Sequence, residues 1–168
     1  MTFETRRALP ADADDIAAAH RDSIRTLGPR FYPLHVVDDW SEGLTGDVYV
    51  RAMACGEAFF IAVAVIDGVY TVLGFSSDYS RGGSQHGTSV YVRGQAGRQG
   101  VGSAPLEVAV AAAIAQGATS IHIEASLAGV DFYKSNGFVE TTHGETRLRS
   151  GRPIGCVFME KALASTAS

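Results

Sequence analysis

Residues 89–117 read SVYVRGQAGRQGVGSAPLEVAVAAAIAQG, in which four glycines separate a β-branched run from an alanine-rich run. This order of residue types predicts a strand, then a loop over residues 93–102, then a helix of about fifteen residues. A strand that leads through a glycine-rich loop into a helix points backbone N–H groups and the positive end of the helix dipole at one place. The segment therefore predicts a binding site for an anion such as phosphate.

The charge of the segment agrees with an anionic ligand. No acidic residue lies between Asp78 and Glu107, whereas Arg81, Arg93 and Arg98 all lie in this interval. The whole chain has 14 basic and 18 acidic side chains and a formal net charge of −4, which argues against nucleic acid or an anionic membrane as a partner. We expect a small soluble ligand.

Two common phosphate-binding motifs do not fit the loop. A Walker loop needs a lysine followed by Ser or Thr after its last glycine, but Gly102 is followed directly by Ser103 and an alanine. A dinucleotide fingerprint starting at Gly100 would need Gly or Ala where Pro105 stands. A glycine-rich turn that binds no ligand stays open as an alternative.

A second informative segment is SIHIEASLAGVDFYKSNGF, residues 120–138. The apolar residues Ile121 and Ile123 alternate with polar ones, which predicts a strand. Ser126 can then cap a short helix, which Asn136 and Gly137 end. We therefore expect a strand, a short helix and a further strand.

Together the two segments resemble the GCN5-related N-acetyltransferases. GRQGVGSA is similar to the pyrophosphate loop of that family, in which Arg or Gln is followed by two residues, Gly, one residue, and Gly or Ala. Gly100 and Gly102 match this pattern, but Gly97 stands at the Arg/Gln position. The pair Phe132–Tyr133, followed after three residues by Gly-Phe, matches the second half of the family more specifically.

The resemblance implies an α/β fold with a mixed, mostly antiparallel seven-stranded sheet, helices on both faces and a splayed central strand pair. Residues 1–162 would form a single domain, and residues 163–168 a frayed tail. The implied cofactor is acetyl-CoA, with its pantetheine arm paired to the edge of a central strand. The residues implied to bind the cofactor are Val90, Val92, Gly97, Arg98, Gln99, Gly100, Val101, Gly102, Ser103 and Ser126. Ser126 departs from the family, because many members have Asn there.

The implied reaction is direct transfer of an acetyl group to an amine of a small molecule or a peptide in a ternary complex. Tyr133 matches the family's acid for the departing thiolate. His86 lies where the family often places a Glu that acts as the general base, and histidine can accept a proton at neutral pH. A chain of water molecules leading to solvent is the alternative proton acceptor. An aromatic stretch that follows the first predicted helix suggests a pocket for the acceptor, formed by Phe31, Tyr32, His35 and Trp40. Packing of these side chains against the sheet explains the stretch equally well. An acyl-CoA sensor without turnover is the alternative function.

The remaining expectations concern cellular context. The two cysteines, Cys55 and Cys156, lie far apart without a C-x-x-C pair, which is typical of a reducing compartment, so we expect a cytoplasmic protein. The histidines show no metal-ligand spacing, and no segment predicts a membrane span. A homodimer is left open.

Overall fold

The computed structural model describes residues 1–164 as an eight-stranded sheet with helices on both faces. The strands are β1 (Glu4–Arg7), β2 (Ala58–Ile66), β3 (Val69–Gly82), β4 (Gln85–Gly87), β5 (Val90–Val92), β6 (Ser120–Ser126), β7 (Val139–Arg147) and β8 (Pro153–Ala162). The helices are α1 (Ala13–Leu27), α2 (Leu34–Ser41), α3 (Gly46–Ala54), α4 (Ser103–Ala115) and α5 (Val130–Ser135). Three-residue 3-10 turns occupy Pro10–Asp12, Gly28–Arg30 and Gly94–Ala96.

The strand order is β1-β2-β3-β4-β6-β8-β7, and β5 pairs with β3 beside β4. The β4–β6 pair is parallel, and the other pairs are antiparallel. The mixed, mostly antiparallel sheet expected from the sequence is confirmed. The strand count is eight rather than seven because a separate short strand, β4, precedes β5, which lies within the strand expected near residues 88–92.

The break between β4 and β5 opens the centre of the sheet. β4 runs beside β6 as far as the pair Gly87–His122, and the Thr88 N–H still donates to the His122 carbonyl at 3.1 Å. β5 then pairs with β3, while β6 continues beside β8. The carboxyl ends of β5 and β6 therefore diverge, which confirms the splayed central pair.

The first half of the chain folds as its residue pattern predicts. Pro10 starts a 3-10 turn that leads into α1, and Gly28 caps the end of this helix. The hairpin between β2 and β3 turns at Asp67 and Gly68, whose φ angles are +50° and +78°. Both positive angles match the type I′ turn that an Asp-Gly pair favours.

Each face of the sheet buries its own apolar cluster. On one face α1 and α3 pack on β2 and β3, with Ile16, Tyr49 and Phe75 in the cluster. On the other face α4 and α5 pack on β6 and β8, with Leu106 and Ile121 in the cluster. Within residues 1–164, no helix is long and apolar enough to cross a membrane.

The carboxyl end is packed at least as far as Leu163. Its N–H donates to the Thr119 carbonyl at 2.9 Å, and its side chain is buried beside α4 and β6. This residue was expected to begin a frayed tail, but the apolar leucine instead covers the end of the core. Residues 165–168 of the expected tail lie outside the described residues.

Candidate active site

The edge of β5 presents backbone polar groups to the gap in the sheet. The Arg93 N–H donates to the Leu73 carbonyl at 2.8 Å, so the odd-numbered residues of this strand bond to β3. Backbone groups of an antiparallel strand alternate between its two sides. Val90 and Val92 consequently direct their N–H and C=O groups toward the side on which β6 diverges, as expected for the two residues.

Tyr133 lies at the same gap. α5 begins at Val130 with Gly129 as its N-cap, so the expected cap at Ser126 is wrong, and Tyr133 falls in the middle of this helix. The tyrosine ring is buried, and its hydroxyl accepts a hydrogen bond from the Val90 N–H at 3.0 Å. Burial raises the pKa of this hydroxyl above its ordinary value, so Tyr133 keeps its proton at neutral pH.

The glycine-rich loop leads from β5 into α4 with an open outer surface. Gly97, Arg98, Gln99 and Gly100 are exposed, and Arg98 and Gly100 adopt positive φ angles of +59° and +80°. Val101 fixes the loop, because its side chain is buried against Ala62 and other residues of β2 and β3. α4 then starts at Ser103 without an acidic residue in its first turn, which suits an anion at its N-terminus.

Gly102 has no room for a side chain. A Cβ atom there would lie 3.0 Å from side-chain atoms of both Val92 and Phe132, so the loop, β5 and α5 meet at this position.

The start of the loop is held by α1, which the sequence alone did not suggest. The Gly94 N–H donates to the Asp22 carboxylate at 2.9 Å, so this amide is already paired with an acid. The Arg93 side chain bonds to the Val72 carbonyl at 2.7 Å, and Arg81 lies at the far end of the strand, near the β3–β4 turn. Of the three expected arginines, Arg98 is therefore the one that the loop itself exposes.

A pocket of about 280 Å³ lies between the diverging strands, on the face opposite α4. Ser89, which precedes β5, forms its floor together with residues of β5 and β6 that include Tyr91 and Glu124. Tyr79 forms part of the wall and lies across β4, where Gly87 has no side chain; a Cβ on Gly87 would meet the Tyr79 ring at 2.2 Å. The hairpin between β7 and β8 covers the remaining side.

The expected acceptor residues divide into two groups. Tyr32 and Trp40 line the pocket with their rings 5.8 Å apart, and the Tyr32 hydroxyl donates to the Gly155 carbonyl at 2.6 Å. Phe31 and His35 are exposed and do not line this pocket. The structure thus brings two of the four residues to the site.

His86 lies on the other side of the sheet. Its Nδ1 is 2.6 Å from a carboxylate oxygen of Asp78, and both side chains are buried. Gln116, just after α4, donates to the second oxygen of Asp78 at 3.0 Å. Because these contacts tie β3 and β4 to α4, away from the pocket, the position of His86 supports a structural role and not that of the base.

Two residues of the pocket carry chemistry that the sequence analysis did not assign to this site. Glu124 lies on β6 with an exposed carboxylate, which accepts a hydrogen bond from Thr146 at 2.6 Å. His20 lies on α1, stacked on Tyr91 with ring centroids 3.6 Å apart. The period-2 pattern of β6 put Glu124 on the polar face, but nothing in the sequence indicated that the face borders a pocket.

The pocket also contains Ser126 and Cys156, which face each other across β6 and β8. Ser126 therefore lies beside the gap, where a contact with the cofactor stays a prediction. Cys156 is buried, and burial, followed by the charges of Glu124 and Glu145, raises the pKa of its thiol. The thiol stays protonated at neutral pH and is a poor nucleophile.

Comparison with known sequences identifies a family. A sequence profile described as the acetyltransferase (GNAT) domain matches residues 37–163, more than half of the chain. No curated protein sequence matches the chain significantly.

Solved structures share the fold over almost the whole chain. A GCN5-related N-acetyltransferase from Rhodopseudomonas palustris is 24% identical, with a TM-score of 0.80 over 97% of each chain. The PaiA N-acetyltransferase of Thermoplasma acidophilum, solved with coenzyme A, is 20% identical, with a TM-score of 0.77 over 97% of this chain and 100% of its own. A phosphinothricin acetyltransferase from Sinorhizobium meliloti, solved with acetyl-CoA, is 18% identical, with a TM-score of 0.72 over 100% of this chain and 92% of its own.

Proposed function

Because this chain belongs to the GNAT acetyltransferase family, we propose that it transfers an acetyl group from acetyl-CoA directly to an amine bound in the same complex. The observation that carries the proposal is the meeting of three features at one gap in the sheet. The β5 edge offers backbone groups on one side, the buried Tyr133 hydroxyl lies beside Val90, and the pocket opens from the other face. An acid and an acceptor site therefore flank the same strand edge.

The residues at the gap and in the loop fit coenzyme A. The Val90 carbonyl and both backbone groups of Val92 are directed to the gap, which suits the amides of a pantetheine arm, whereas the Val90 N–H is already paired with the Tyr133 hydroxyl. The exposed loop from Gly97 to Gly100, with the N-terminus of α4 behind it, suits the pyrophosphate. When bound there, acetyl-CoA supplies an activated acetyl thioester.

The chain's own groups handle the protons. Tyr133 keeps its proton and donates it to the departing thiolate, whose ordinary pKa is near 8.5. An aliphatic amine has an ordinary pKa near 10.4 and must lose a proton before it attacks. We assign this step to Glu124, because its carboxylate lies in the pocket beside the gap and also reaches solvent.

The protonated thiol of Cys156 in the pocket favours direct transfer over a mechanism with an acyl-enzyme intermediate. A covalent intermediate would need a thiolate, and the raised pKa of Cys156 keeps this thiol protonated. The amine therefore attacks the thioester itself. Intersecting lines in an initial-rate analysis would follow from a ternary complex, whereas parallel lines would follow from an acyl-enzyme.

The test of the proposed function is thiol release from acetyl-CoA across a panel of amino acids, polyamines, aminoglycosides and peptides, with the acetylated product identified by mass. Turnover with at least one class of amine is expected. A second function, an acyl-CoA sensor, is favoured by Gly97 at the expected Arg/Gln position and by the location of His86 outside the pocket. Tight acetyl-CoA binding without transfer to any amine would support the sensor and contradict the transferase.

A further inference from the structure

The pocket is lined by charged groups of both signs. Glu124 is an acidic residue on its β6 side, and Arg147 and Arg149 are basic residues on the β7–β8 hairpin. Within residues 1–164, no salt bridge within 4.0 Å joins Glu124, Arg147 or Arg149 to a group of opposite charge. The pocket therefore contains a carboxylate and guanidinium groups that the protein itself does not neutralise.

The β7–β8 hairpin carries three arginines, two of which bond to other groups of the protein. Arg152 bonds to the Asp39 carboxylate at 2.7 Å, and Arg147 donates to the Gly151 carbonyl at 2.7 Å. These contacts fix the hairpin against α2 and close its turn. Arg149 lies between the two, lines the pocket and is left to contact a ligand.

His20 adds a neutral donor to the same end of the pocket. Its Nδ1 is 2.5 Å from the Tyr49 hydroxyl, and burial, followed by the charge of Arg21, lowers the pKa of the imidazole to about 3. Burial also raises the pKa of Tyr49, so the hydroxyl keeps its proton. Within the described residues, Nδ1 is the one hydrogen-bond partner of this hydroxyl, so we assign the hydroxyl as the donor and Nδ1 as the acceptor.

The proton of the neutral imidazole is then on Nε2. Among the described residues, this nitrogen is the one buried side-chain nitrogen or oxygen without a hydrogen-bond partner. A buried donor without an acceptor is unfavourable, so a ligand that supplies the acceptor gains affinity. The Nε2–H of His20 and the guanidinium of Arg149 are both suited to the oxygens of an anion.

The electrostatics of the two ends differ in sign. The charge of Arg21 acts on His20, and the charges of Arg21 and Arg149 act on Tyr49, so basic groups predominate at the α1 end, where the acidic Glu57 also acts on Tyr49. The charges of Glu124 and Glu145 act on Cys156 at the β6–β8 end, which is negative. β6, which carries Glu124, borders the gap. The negative end of the pocket is therefore the end at which the amine of an acceptor would meet the thioester of acetyl-CoA.

We infer, on the basis of the proposed function, that the acceptor is a free amino acid, whose amine is held by Glu124 and whose carboxylate is held by Arg149 and His20. A cavity of about 280 Å³ has the size of a small-molecule site. Its aromatic walls, which include Tyr32, Trp40 and Tyr79, favour an apolar side chain on the amino acid. Arg149 and His20 thus select for the carboxylate, and the aromatic wall selects for the side chain.

The experiment compares acceptors that share a side chain and differ at the carboxylate, each assayed over a pH range that covers the titration of its own amine. Phenylalanine, methionine and leucine are each assayed beside the corresponding amide and the decarboxylated amine, by thiol release and by calorimetric titration into the CoA-bound protein. The acids are expected to have kcat/KM values at least about tenfold above those of the amides, as for a charge-assisted contact. Equal or better activity of the amides, the amines or peptides would overturn the inference while leaving the transferase in place.

Variants assign the discrimination to residues. Arg149→Gln should raise the KM for the acids and leave the KM for the amides nearly unchanged. The acid-to-amide ratio of kcat/KM should therefore move toward one. His20→Phe keeps the ring stacked on Tyr91 and should lower the same ratio. Arg51→Gln makes the same chemical change on the exposed part of α3 and is the control. An unchanged acid-to-amide ratio in Arg149→Gln would also overturn the inference.

The titration separates this inference from the proposed function. Acids that bind the CoA-bound protein but are not acetylated would support the acceptor class and contradict the transferase. If none of the acids binds or reacts, the inference is wrong whatever other amines do.

Discussion

Tyr133 has two roles, because its ring is part of the core and its hydroxyl is the proposed acid. A test of the acid must therefore remove the hydroxyl and leave the ring in place. The ring packs edge to face against Phe132 and Phe138, with centroids 5.2 and 5.4 Å away. Tyr133→Phe keeps these contacts and removes the acid, so we predict a fall in kcat of about 10² to 10⁴-fold. Stability should fall by about 1 kcal/mol, because the Val90 N–H loses an acceptor.

The measurement is kcat together with the affinity for CoA. Affinity close to that of the wild type is expected, since the ring remains in place. Wild-type turnover in Tyr133→Phe would remove the hydroxyl from the mechanism and leave solvent as the proton source.

His20 should make the fold sensitive to acid. The pKa of the imidazole is about 3 in the folded protein and about 6.5 in an unfolded chain. The unfolded state therefore binds more protons between these values, and stability falls as the pH drops through about 6.5 toward 3. From about pH 8 to about pH 5 the loss that is due to His20 is about 2 kcal/mol.

Denaturant midpoints of the wild type and His20→Phe at the two pH values measure this loss. The wild type should lose more stability than the variant on acidification. His35→Phe changes an exposed histidine in the same way and serves as the control. The same acid response in all three proteins would show that His20 is not held neutral by burial.

Single residues were predictable where a local pattern defines them. Tyr133 could be proposed from the sequence because the Phe-Tyr pair and the Gly-Phe pair stand at a fixed spacing in one segment. The positions of His86 outside the pocket and of Glu124 within it could not be predicted, because the face of the sheet that borders the pocket depends on which helices cover it. His20 is 71 positions from its stacking partner Tyr91, and no local pattern indicates such a contact.

At the scale of elements, the loop between β5 and α4 is the part to test for the anion site. Gly97 is exposed, has an ordinary φ of −61°, and a Cβ there would lie 3.4 Å from the Gly94 carbonyl oxygen, so a side chain fits. Gly97→Asp adds a negative charge at the loop, whereas Gly97→Asn adds nearly the same volume without charge. We predict that the Asp variant binds CoA at least about tenfold more weakly than the Asn variant.

Calorimetric titration of both Gly97 variants with CoA gives this comparison. Their thermal midpoints should agree, since the site is exposed in the free protein. Equal CoA affinities would place the pyrophosphate elsewhere.

The hairpin between β7 and β8 should control the acceptor and not the cofactor. Arg152 Nε and Ser150 Oγ both bond to one oxygen of Asp39, each at 2.7 Å, which fixes the hairpin on α2. Asp39→Asn removes the charge from this contact, so we predict that the KM for the acceptor rises roughly two- to fivefold. Asp38→Asn, next to it on the exposed side of α2, is the control.

Steady-state kinetics with each substrate varied in turn show which site is affected. The KM for acetyl-CoA should be the same in both variants and the wild type. An increase confined to acetyl-CoA would mean that the hairpin borders the cofactor site instead.

Elements differ in how well their sequences define them. The type I′ turn at Asp67–Gly68 and the helix α1 rest on local signals, namely the Asp-Gly pair and the proline that precedes the helix. The separate strand β4 was not predicted, because it depends on pairing with distant parts of the chain: β4 pairs with both β3 and β6, whereas β5 pairs with β3. The splay itself came from the resemblance to the family and not from the residues of the strand.

At the scale of the whole molecule, the two halves of the sheet meet at the parallel pair of β4 and β6, and the proposed reaction takes place where this pairing ends. The halves have separate apolar clusters, one under α1 and α3 and the other under α4 and α5. The proposed cofactor site draws on α4, α5 and β5, and the proposed acceptor pocket on α1, α2 and the β7–β8 hairpin. This division explains why the sequence indicated the cofactor more clearly than the acceptor: the loop and Tyr133 lie within two short segments, whereas the pocket is assembled from distant parts of the chain.

The central claim is direct acetyl transfer across the gap, and a labelled acetyl group tests it most directly. The protein is incubated with acetyl-CoA labelled in the acetyl group, first alone and then with the acceptor amine, and the label is located by intact-mass analysis. We predict that the label stays in acetyl-CoA until the amine is added and then appears on the amine nitrogen in an amount equal to the thiol released. Label on the protein before the amine is added, above all on Cys156, would contradict direct transfer.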